Sequence, residues 1–152
     1  MSNIRPARPA EARELTNLAL RSKAHWGYDA AFMARAAEAL TVTPEMISAG
    51  RVVVLEDGGG VAALYALSYE EDGTAELDLL FVEQACLGAG HGERLFAHAI
   101  EAARVAGARR LIVESDPNAA GFYARMSMTP VGERVSPVEA GRVLPVLALA
   151  LD

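Results

Sequence analysis

Apolar residues recur along the chain with two different spacings, and each spacing predicts a different kind of element. Short apolar or alternating runs bounded by Gly, Pro, Asp or Asn are typical of strands. The chain contains seven such runs: "NIRPA", "RVVVLE", "VAALYALSYE", "TAELDLLFV", "RRLIVES", "TPVGERV" and "RVLPVLALAL". The glycine-rich turn "DGGG" joins the second run to the third and predicts a hairpin.

Apolar residues at intervals of three and four predict helices between these strands. Leu15, Leu18 and Ala19, for example, share one face of a first helix. Helices are expected, in order, in "PAEARELTNLALRSKAHW", over residues 29–40 with Asp29 as N-cap, in "TPEMISAG", over residues 90–106, and in "DPNAAGFYARM".

The order of these elements predicts the fold class. "TAELDLLFV", the helix over residues 90–106 and "RRLIVES" form one strand–helix–strand unit, with further strands before and after it. No linker, repeat or long charge run divides the sequence. We therefore expect a single-domain mixed α/β (α+β) fold, in which helices cover both faces of one sheet.

The composition supports one compact domain and narrows the classes of function. Hydrophobic residues make up 52% of the 152 residues, enough for a core, yet no apolar run reaches the roughly 18 residues of a membrane span. The N-terminal "MSNIRPARPAEAREL" lacks the apolar block of a secretory signal. The single Cys86 excludes an intramolecular disulfide and favours the cytoplasm. The net charge of −6 argues against broad nucleic-acid binding.

The stretch "FVEQACLGAGHGERLF" interrupts the strand–helix–strand unit with glycines at positions 88, 90 and 92. Glycine disfavours a helix by about 1 kcal/mol relative to alanine, so glycines at a helix start need a reason. Unpaired amides and the helix dipole make such a turn an anion site, and glycine lets a phosphate approach the backbone closely. The other interpretation is a turn selected for tight strand–helix packing.

Two common phosphate-binding motifs do not fit this turn. A Walker A loop requires Gly-Lys-Ser/Thr, whereas the chain has Gly92, Glu93 and Arg94. A dinucleotide-binding G-x-G-x-x-G pattern that starts at Gly88 and Gly90 reaches the acidic Glu93 in place of its third glycine.

A third pattern fits the glycines. The turn resembles the pyrophosphate loop of the GNAT family of acyl-CoA-dependent N-acetyltransferases, (Q/R)-x-x-G-x-(G/A), which lies between a strand and a long helix. Gly90 and Gly92 match this pattern, and Leu87 stands where the family has Gln or Arg. The departure removes a side chain and leaves the backbone amides in place.

The segment "DPNAAGFYARMSM" is similar to the second signature of that family. Asn118, Phe122 and Tyr123 match it, while Ser127-Met128 replaces Gly-Phe. "SKAHWGYDAAFM", "LTVTPE" and "SPVEAGRVLP" resemble one bacterial, small-molecule-type subgroup. The resemblance implies a single N-acetyltransferase domain over residues 1–152, a mostly antiparallel twisted sheet of about seven strands, acetyl-CoA as co-substrate and no metal.

The resemblance also implies which residues contact CoA. The loop candidates, whose amides from Gly88 to Glu93 would bind the pyrophosphate, are Leu87, Gly88, Ala89, Gly90, His91, Gly92 and Glu93. For His91, a surface position at the helix start is the alternative to flanking the phosphates. The strand residues Leu80, Phe81 and Val82 would offer backbone groups to the pantetheine, and the Val82 amide would stabilise the tetrahedral oxyanion.

Two acidic residues, Glu76 and Asp78, share one face of the apolar strand "AELDLLFV". Two acids on one face of a covered strand indicate a cleft. An amine with a pKa near 10.4 is almost entirely protonated at pH 7, and a carboxylate can accept its proton directly or through water. The resemblance favours Glu76 as this base and leaves Asp78 as a substrate-binding candidate. Alternatively, both are strand-edge charges or pair with an arginine.

On the last short helix, the resemblance puts the Tyr123 hydroxyl near the CoA sulfur, where it would protonate the departing thiolate. The ordinary pKa values of a thiol, about 8.5, and a phenol, about 10, make this transfer nearly balanced. Phe122 is a further cofactor contact, and packing of both rings in the core is the alternative. Asn118 is expected either to bind the pantetheine or phosphate arm or to cap the helix start.

His25, Trp26 and Tyr28 lie together between the first two helices and are candidates for an acceptor-binding wall, since aromatic faces recognise cations and other rings. A helix–helix corner packed by Trp26 is the alternative. Arg142 is expected either to bind an acceptor carboxylate or to pair with Glu139.

The expected function is the transfer of an acetyl group from acetyl-CoA to a primary amine of a small molecule or peptide, by direct attack in a ternary complex. We expect no nucleic-acid, membrane or metal partner. A homodimer through the apolar last strand "VLPVLALAL" is a hypothesis. The alternatives are a non-catalytic acyl-CoA-binding regulatory domain of the same fold and an unrelated nucleotide-binding α/β protein.

Overall fold

The computed structural model describes residues 2–152, and this part of the chain contains one seven-stranded mixed sheet. The strands are β1 (Ser2–Pro6), β2 (Val52–Asp57), β3 (Gly60–Tyr69), β4 (Thr74–Val82), β5 (Arg110–Glu114), β6 (Thr129–Val135) and β7 (Val143–Ala150). Their order is β1-β2-β3-β4-β5-β7-β6. β4 and β5 pair in parallel, while β1–β2, β2–β3, β5–β7 and β6–β7 are antiparallel. The predicted fold class is confirmed.

The helices lie between these strands in the predicted order. They are α1 (Ala12–Ala24), α2 (Ala30–Ala36), α3 (Pro44–Ser48), α4 (His91–Val105) and α5 (Ala120–Arg125), with 3-10 turns at Pro9–Glu11 and Gln84–Cys86. Within residues 2–152, none of these helices combines the length and the apolar character that crossing a bilayer requires.

By its internal contacts the described chain divides into two compact units. The first comprises residues up to Ala66 together with Leu79–His98, and the second comprises Leu67–Asp78 together with Ala99–Asp152. The polypeptide passes between the units inside β3, β4 and α4. The loop glycines and the aromatic residues near position 26 belong to the first unit, and Glu76 and Tyr123 belong to the second.

In the first unit, α1 buries the predicted stripe of Leu15, Leu18 and Ala19. The amide of Val42 donates to Thr16 Oγ1 at 2.9 Å and ties the segment before α3 to the middle of α1. Asp29 is the N-cap of α2, as predicted, because its side chain accepts from the Phe32 amide at 2.8 Å.

In the second unit, the predicted strand–helix–strand unit is present as β4, α4 and β5. Residues 74–76 of β4 pair in parallel with residues 110–112 of β5. The apolar residues Leu111, Ile112 and Val113 are buried in β5. At the end of α4 the Ala108 amide donates to the Ala103 carbonyl at 3.0 Å, across Gly107 at φ 90°.

Two predicted helix boundaries are wrong. The second helix ends at Ala36 rather than at residue 40, because residues 37–40 form turns. In one of these turns the Thr41 amide donates to the Glu38 carbonyl, three residues earlier, at 3.2 Å. The last helix begins at Ala120 rather than after Pro117.

The last strand, which the dimer hypothesis named as the contact, is an inner strand of the sheet. β7 pairs with β5 on one side and with β6 on the other, so neither of its backbone edges is free. The strand at this edge of the sheet is β6.

Candidate active site

The edge of β4 that pairs with β5 is paired over a short length only. The parallel ladder ends at Glu76 opposite Ile112, whereas β4 itself continues to Val82. Within the described residues, the register assigns no β5 partner to residues 77–82. Beyond Glu76, β5 therefore does not close this edge of β4.

Glu76 lies where that ladder ends, and its side chain is four-fifths buried. Burial, followed by the charges of Asp78 and Glu114, raises the pKa of Glu76 to about 7. The Arg134 guanidinium, 3.8 Å from Glu76 Oε1, acts in the opposite direction. A carboxyl group that ionises near neutral pH is suited to accept a proton from an amine.

Asp78 has a different environment from Glu76. The residue is exposed, and its Oδ1 accepts a hydrogen bond from Ser68 Oγ at 3.1 Å. Of the two acids on this face, Glu76 is thus the one that the fold shields from water.

The glycine loop has the backbone that an anion site needs. Gly88 and Gly90 have φ values of 86° and 79°, a region that residues with a side chain rarely adopt. Gly92 lies in the first turn of α4 and has no positive φ, so its backbone does not by itself require glycine. Within residues 2–152, no backbone carbonyl accepts from the amides of residues 91–93 in the first turn of α4.

The His91 side chain is buried, which contradicts the expected surface position. Only 5% of it is exposed, and its Nε2 lies 3.1 Å from Asp57 Oδ2 at the end of β2. Its Nδ1 is buried with no hydrogen-bond partner in the described chain. The position of His91 in the first turn of α4 is therefore fixed from β2.

Other loop and strand candidates in the first unit differ in exposure. Leu87 is 57% exposed, so its side chain adds no apolar packing there. Leu80, Phe81 and Val82 are half-buried. The Val82 carbonyl accepts from Ser22 Oγ of α1 at 3.3 Å. The 3-10 turn before the loop contains the half-buried Cys86.

Tyr123 is buried in the second unit, on α5, and its ring meets Phe122 edge-on at 5.2 Å. Burial raises the pKa of Tyr123 well above its ordinary value, and the charge of Asp116 adds to this effect. The expectation that the phenol and the CoA thiol have nearly equal pKa values is therefore wrong. The hydroxyl stays protonated and is suited to donate a hydrogen bond to a developing thiolate.

Asn118 is not the N-cap of α5, contrary to one of its two predicted roles. Its backbone amide and its Nδ2 both donate to Asp116 Oδ1, at 2.8 and 2.9 Å, and the N-cap position is Ala119. The turn that Asp116 forms explains why α5 begins later than predicted.

Arg142 contacts an acid that the sequence did not predict as its partner. Its Nη2 lies 3.5 Å from Asp116 Oδ2, and both side chains are largely buried. Its backbone amide donates to the Glu139 carbonyl at 3.2 Å.

The aromatic candidates of the first unit surround the turn between α1 and α2. Trp26 is 49% exposed, so about half of its side chain is open to contact. The His25 and Trp26 ring centroids are 6.3 Å apart. Tyr28 stacks on Phe32 at 4.1 Å, and Lys23 Nζ lies 5.3 Å from the Tyr28 ring centroid. One cation thus already lies against this ring.

A family model described as the acetyltransferase (GNAT) family matches residues 13–128. The chain belongs to this family. The resemblance in the sequence is therefore confirmed, and family membership supports an acyltransferase. No curated protein sequence matches the chain.

Solved structures of GNAT proteins have the same fold. A putative acetyltransferase of the GNAT family from Desulfovibrio desulfuricans superimposes with a TM-score of 0.77 at 19% identity, over 99% of both chains. A putative acetyltransferase from Salmonella typhimurium, solved with its cofactor acetyl-CoA, has a TM-score of 0.73 at 20% identity, over 100% of this chain and 95% of that one. The ribosomal-protein-S18-alanine N-acetyltransferase from Escherichia coli has a TM-score of 0.72 at 14% identity, over 99% and 94%.

Sequence reasoning missed several residues of this GNAT chain. Glu114 and Arg134 flank Glu76 in the second unit, and Asp57 binds His91 in the first. For Glu114 a signal existed, since an acid ends the apolar strand "RRLIVES" beside the strand of Glu76. No local signal marks Arg134 or Asp57.

Among residues 2–152, no cluster of three His, Cys, Asp or Glu side chains could bind a metal.

Proposed function

We propose that this GNAT protein transfers the acetyl group of acetyl-CoA to a primary amine by direct attack in a ternary complex. The observation that carries the proposal is the end of the β4–β5 ladder at Glu76. Beyond it, residues 77–82 have no β5 partner in the described chain, so they can offer backbone groups to the pantetheine. At the same point lies a shielded carboxyl group with a pKa of about 7.

Each unit supplies groups of its own to CoA in this proposal. In the first unit, the amides of residues 88–93 bind the pyrophosphate, favoured by the partial positive charge of the α4 N-terminus. The Val82 amide stabilises the oxyanion of the tetrahedral intermediate. In the second unit, Tyr123 donates its hydroxyl proton toward the sulfur, and Phe122 and Asn118 contact the pantetheine arm.

Acetyl transfer removes two protons from the acceptor nitrogen. The amine arrives as an ammonium ion, and Glu76 accepts one proton, directly or through water, and passes it to solvent. The neutral nitrogen then attacks the thioester carbonyl, so that a C–N bond forms and the C–S bond breaks. The nitrogen loses its second proton to the same base, while the leaving thiolate, stabilised by a hydrogen bond from the Tyr123 hydroxyl, takes a proton from solvent. One ammonium ion and acetyl-CoA thus give an amide, CoA thiol and one released proton.

The acceptor is proposed as a cationic small-molecule or peptide amine. The net charge of −6 attracts cations, and the exposed rings of His25 and Trp26 in the first unit can contact them. Asp78, exposed on the Glu76 face of β4, is the proposed carboxylate for the ammonium group. Cys86, a free thiol, supports a reducing, cytoplasmic location. A homodimer stays a prediction.

The direct test is an acetyl-transfer screen. Protein would be incubated with acetyl-CoA and with polyamines, aminoglycosides or basic peptides, and CoA thiol release would be followed with a chromogenic disulfide. Because Cys86 is the only cysteine, the variant Cys86→Ser removes the protein's own thiol signal. We expect thiol release above the amine-free blank and a mass increase of one acetyl group on the acceptor.

The same screen, together with melting temperatures measured with CoA and with ATP, distinguishes the enzyme from the two alternative functions. CoA binding without thiol release on any amine would favour the regulatory acyl-CoA-binding domain. A melting temperature raised by ATP and unmoved by CoA would favour the nucleotide-binding protein.

A further inference from the structure

Three charged side chains of the second unit meet at the end of the β4–β5 ladder. Arg134 Nη1 of β6 lies 3.1 Å from Glu114 Oε2 of β5 and 3.8 Å from Glu76 Oε1 of β4. The side chains of Glu76 and Glu114 are about three-quarters buried, and the Arg134 side chain is 47% exposed. The guanidinium therefore bridges two shielded carboxyl groups from its more exposed position.

The strand register explains how these residues meet. Val146 of β7 pairs with Glu114 on one side and with Gly132 on the other. Arg134 follows Gly132 by two residues, and alternation along a strand places both on the same face. On the other side, Glu114 follows Ile112 by two residues, and Ile112 pairs with Glu76. One sheet face thus carries all three side chains, although they are far apart in sequence.

The two carboxyl groups share the Arg134 guanidinium, and the negative charge of Glu114 raises the pKa of Glu76. When one of the two carries a proton it can donate a hydrogen bond to the other, since a carboxylate only accepts. When both are ionised, their like charges repel and favour the uptake of one proton. The other charged groups acting on Glu76 in the described chain are Asp78, on its own strand, and Arg134, on β6.

We propose that Glu114 and Arg134 are positioning residues that tune Glu76 as the base. The proton that Glu76 takes from the ammonium ion is held between the two carboxyl groups, with the new O–H bond on Glu76 and Glu114 as acceptor. Arg134 balances the two negative charges while the pair is ionised, and each proton leaves to solvent before Glu76 accepts the next. This inference rests on the proposed function, in which Glu76 is the base.

The test uses the opposite charges of Glu114 and Arg134, which shift the pKa of Glu76 in opposite directions. A carbon-13 NMR titration of the glutamate carboxyl groups, on the protein without ligand, gives the pKa of Glu76, and the variant Glu76→Gln assigns its signal. In wild type we expect a pKa of about 7. Glu114→Gln should lower it by about half a pH unit or more, because a like charge is removed, and Arg134→Gln should raise it by a similar amount. Arg134→Lys keeps the charge and should stay near wild type.

The pH dependence of kcat/KM supplies the second measurement. Its acidic limb should move down in Glu114→Gln, up in Arg134→Gln and little in Arg134→Lys. General damage to the fold does not move one residue's pKa in opposite directions in two variants. Unmoved pKa values, or shifts of the same sign, overturn the tuning proposal and leave wild-type turnover, and with it the proposed function, intact. Opposite shifts in a protein that acetylates no amine contradict the proposed function, and the base role with it.

Discussion

The backbone amide of Met128 donates to the carbonyl oxygen of Tyr123 at 3.1 Å, across the end of α5. This bond requires a left-handed residue between them, and Ser127 supplies it with a φ of 73°. Among the described residues other than glycine, Ser127 has the one positive φ. The position is also where the family signature has glycine.

The first prediction is that Ser127→Gly stabilises the protein. Glycine adopts this φ without the penalty of about 1–2 kcal/mol that a side chain incurs, while its more flexible unfolded state offsets part of the gain. We expect the free energy of unfolding in urea to rise by about 0.5–1 kcal/mol.

Gly107 provides the reciprocal control, because it ends α4 in the same way at φ 90°. Gly107→Ser should lower the free energy of unfolding by a similar amount. A destabilising Ser127→Gly, measured beside this variant, would show that Ser127 has a favourable contact that the left-handed conformation does not explain.

The second prediction is that Gly90→Ala weakens CoA binding about tenfold or more. An alanine at φ 79° is strained, so we expect the loop amides to shift. The alanine methyl group would lie 3.4 Å from Glu93 Oε2, an ordinary contact that adds little to this strain. Tenfold corresponds to about 1.4 kcal/mol. Isothermal titration calorimetry with CoA measures the dissociation constant.

Gly58→Ala is the matched control in the β2–β3 turn. It introduces the same kind of strain at φ 64° with no atom within 4 Å of the added methyl group. Both variants should lose stability, but only Gly90→Ala should lose affinity. Equal dissociation constants for the two variants would remove the loop from the CoA site.

The third prediction concerns the proposed hydrogen-bond donor to the thiolate. Tyr123→Phe keeps the buried ring and removes the hydroxyl, so kcat should fall about a hundredfold, a typical cost of removing one donor to a developing negative charge. The KM for acetyl-CoA should change little. The exposed Tyr69 gives a matched Tyr→Phe control that should leave both constants unchanged. Full turnover by Tyr123→Phe would assign the tyrosine to packing.

The fourth prediction is a pH-dependent gain in stability from Glu76→Gln. The folded pKa of Glu76 is raised to about 7, so folding favours its protonated form. The stability that this preference supplies is complete below the ordinary pKa and is lost as the pH rises through 7. Gln stays neutral at every pH. Between pH 4 and 8.5, the variant's advantage in free energy of unfolding should therefore grow from near zero to about 3 kcal/mol.

Glu71→Gln, in an exposed turn, is the control for the loss of one negative charge. Its difference from wild type should stay flat across the same pH range. An advantage of Glu76→Gln that shrinks with rising pH would mean that the fold favours the ionised carboxylate.

Local patterns sufficed to predict the strands, the main helices and the family. Alternation in "TAELDLLFV", the glycine loop and "NAAGFY" each depend on residues close in sequence. The bounds of α5 were missed because Asp116 holds the Asn118 amide in a turn that competes with the helix.

The charged neighbours of Glu76 depend instead on contacts between distant strands. Arg134 meets Glu76 through the strand order β4-β5-β7-β6, which no local pattern reveals. The burial of His91 likewise depends on Asp57, 34 residues earlier. The pKa values of Glu76 and Tyr123 follow from burial, which is a property of the folded chain.

A crystal structure of the complex with CoA tests the central claim most directly. We predict that the diphosphate accepts hydrogen bonds from amides of residues 88–93 and that the pantetheine runs along residues 77–82 of β4, with its sulfur near the Tyr123 hydroxyl. A diphosphate bound elsewhere, or a pantetheine that makes no contact with β4, would contradict this account.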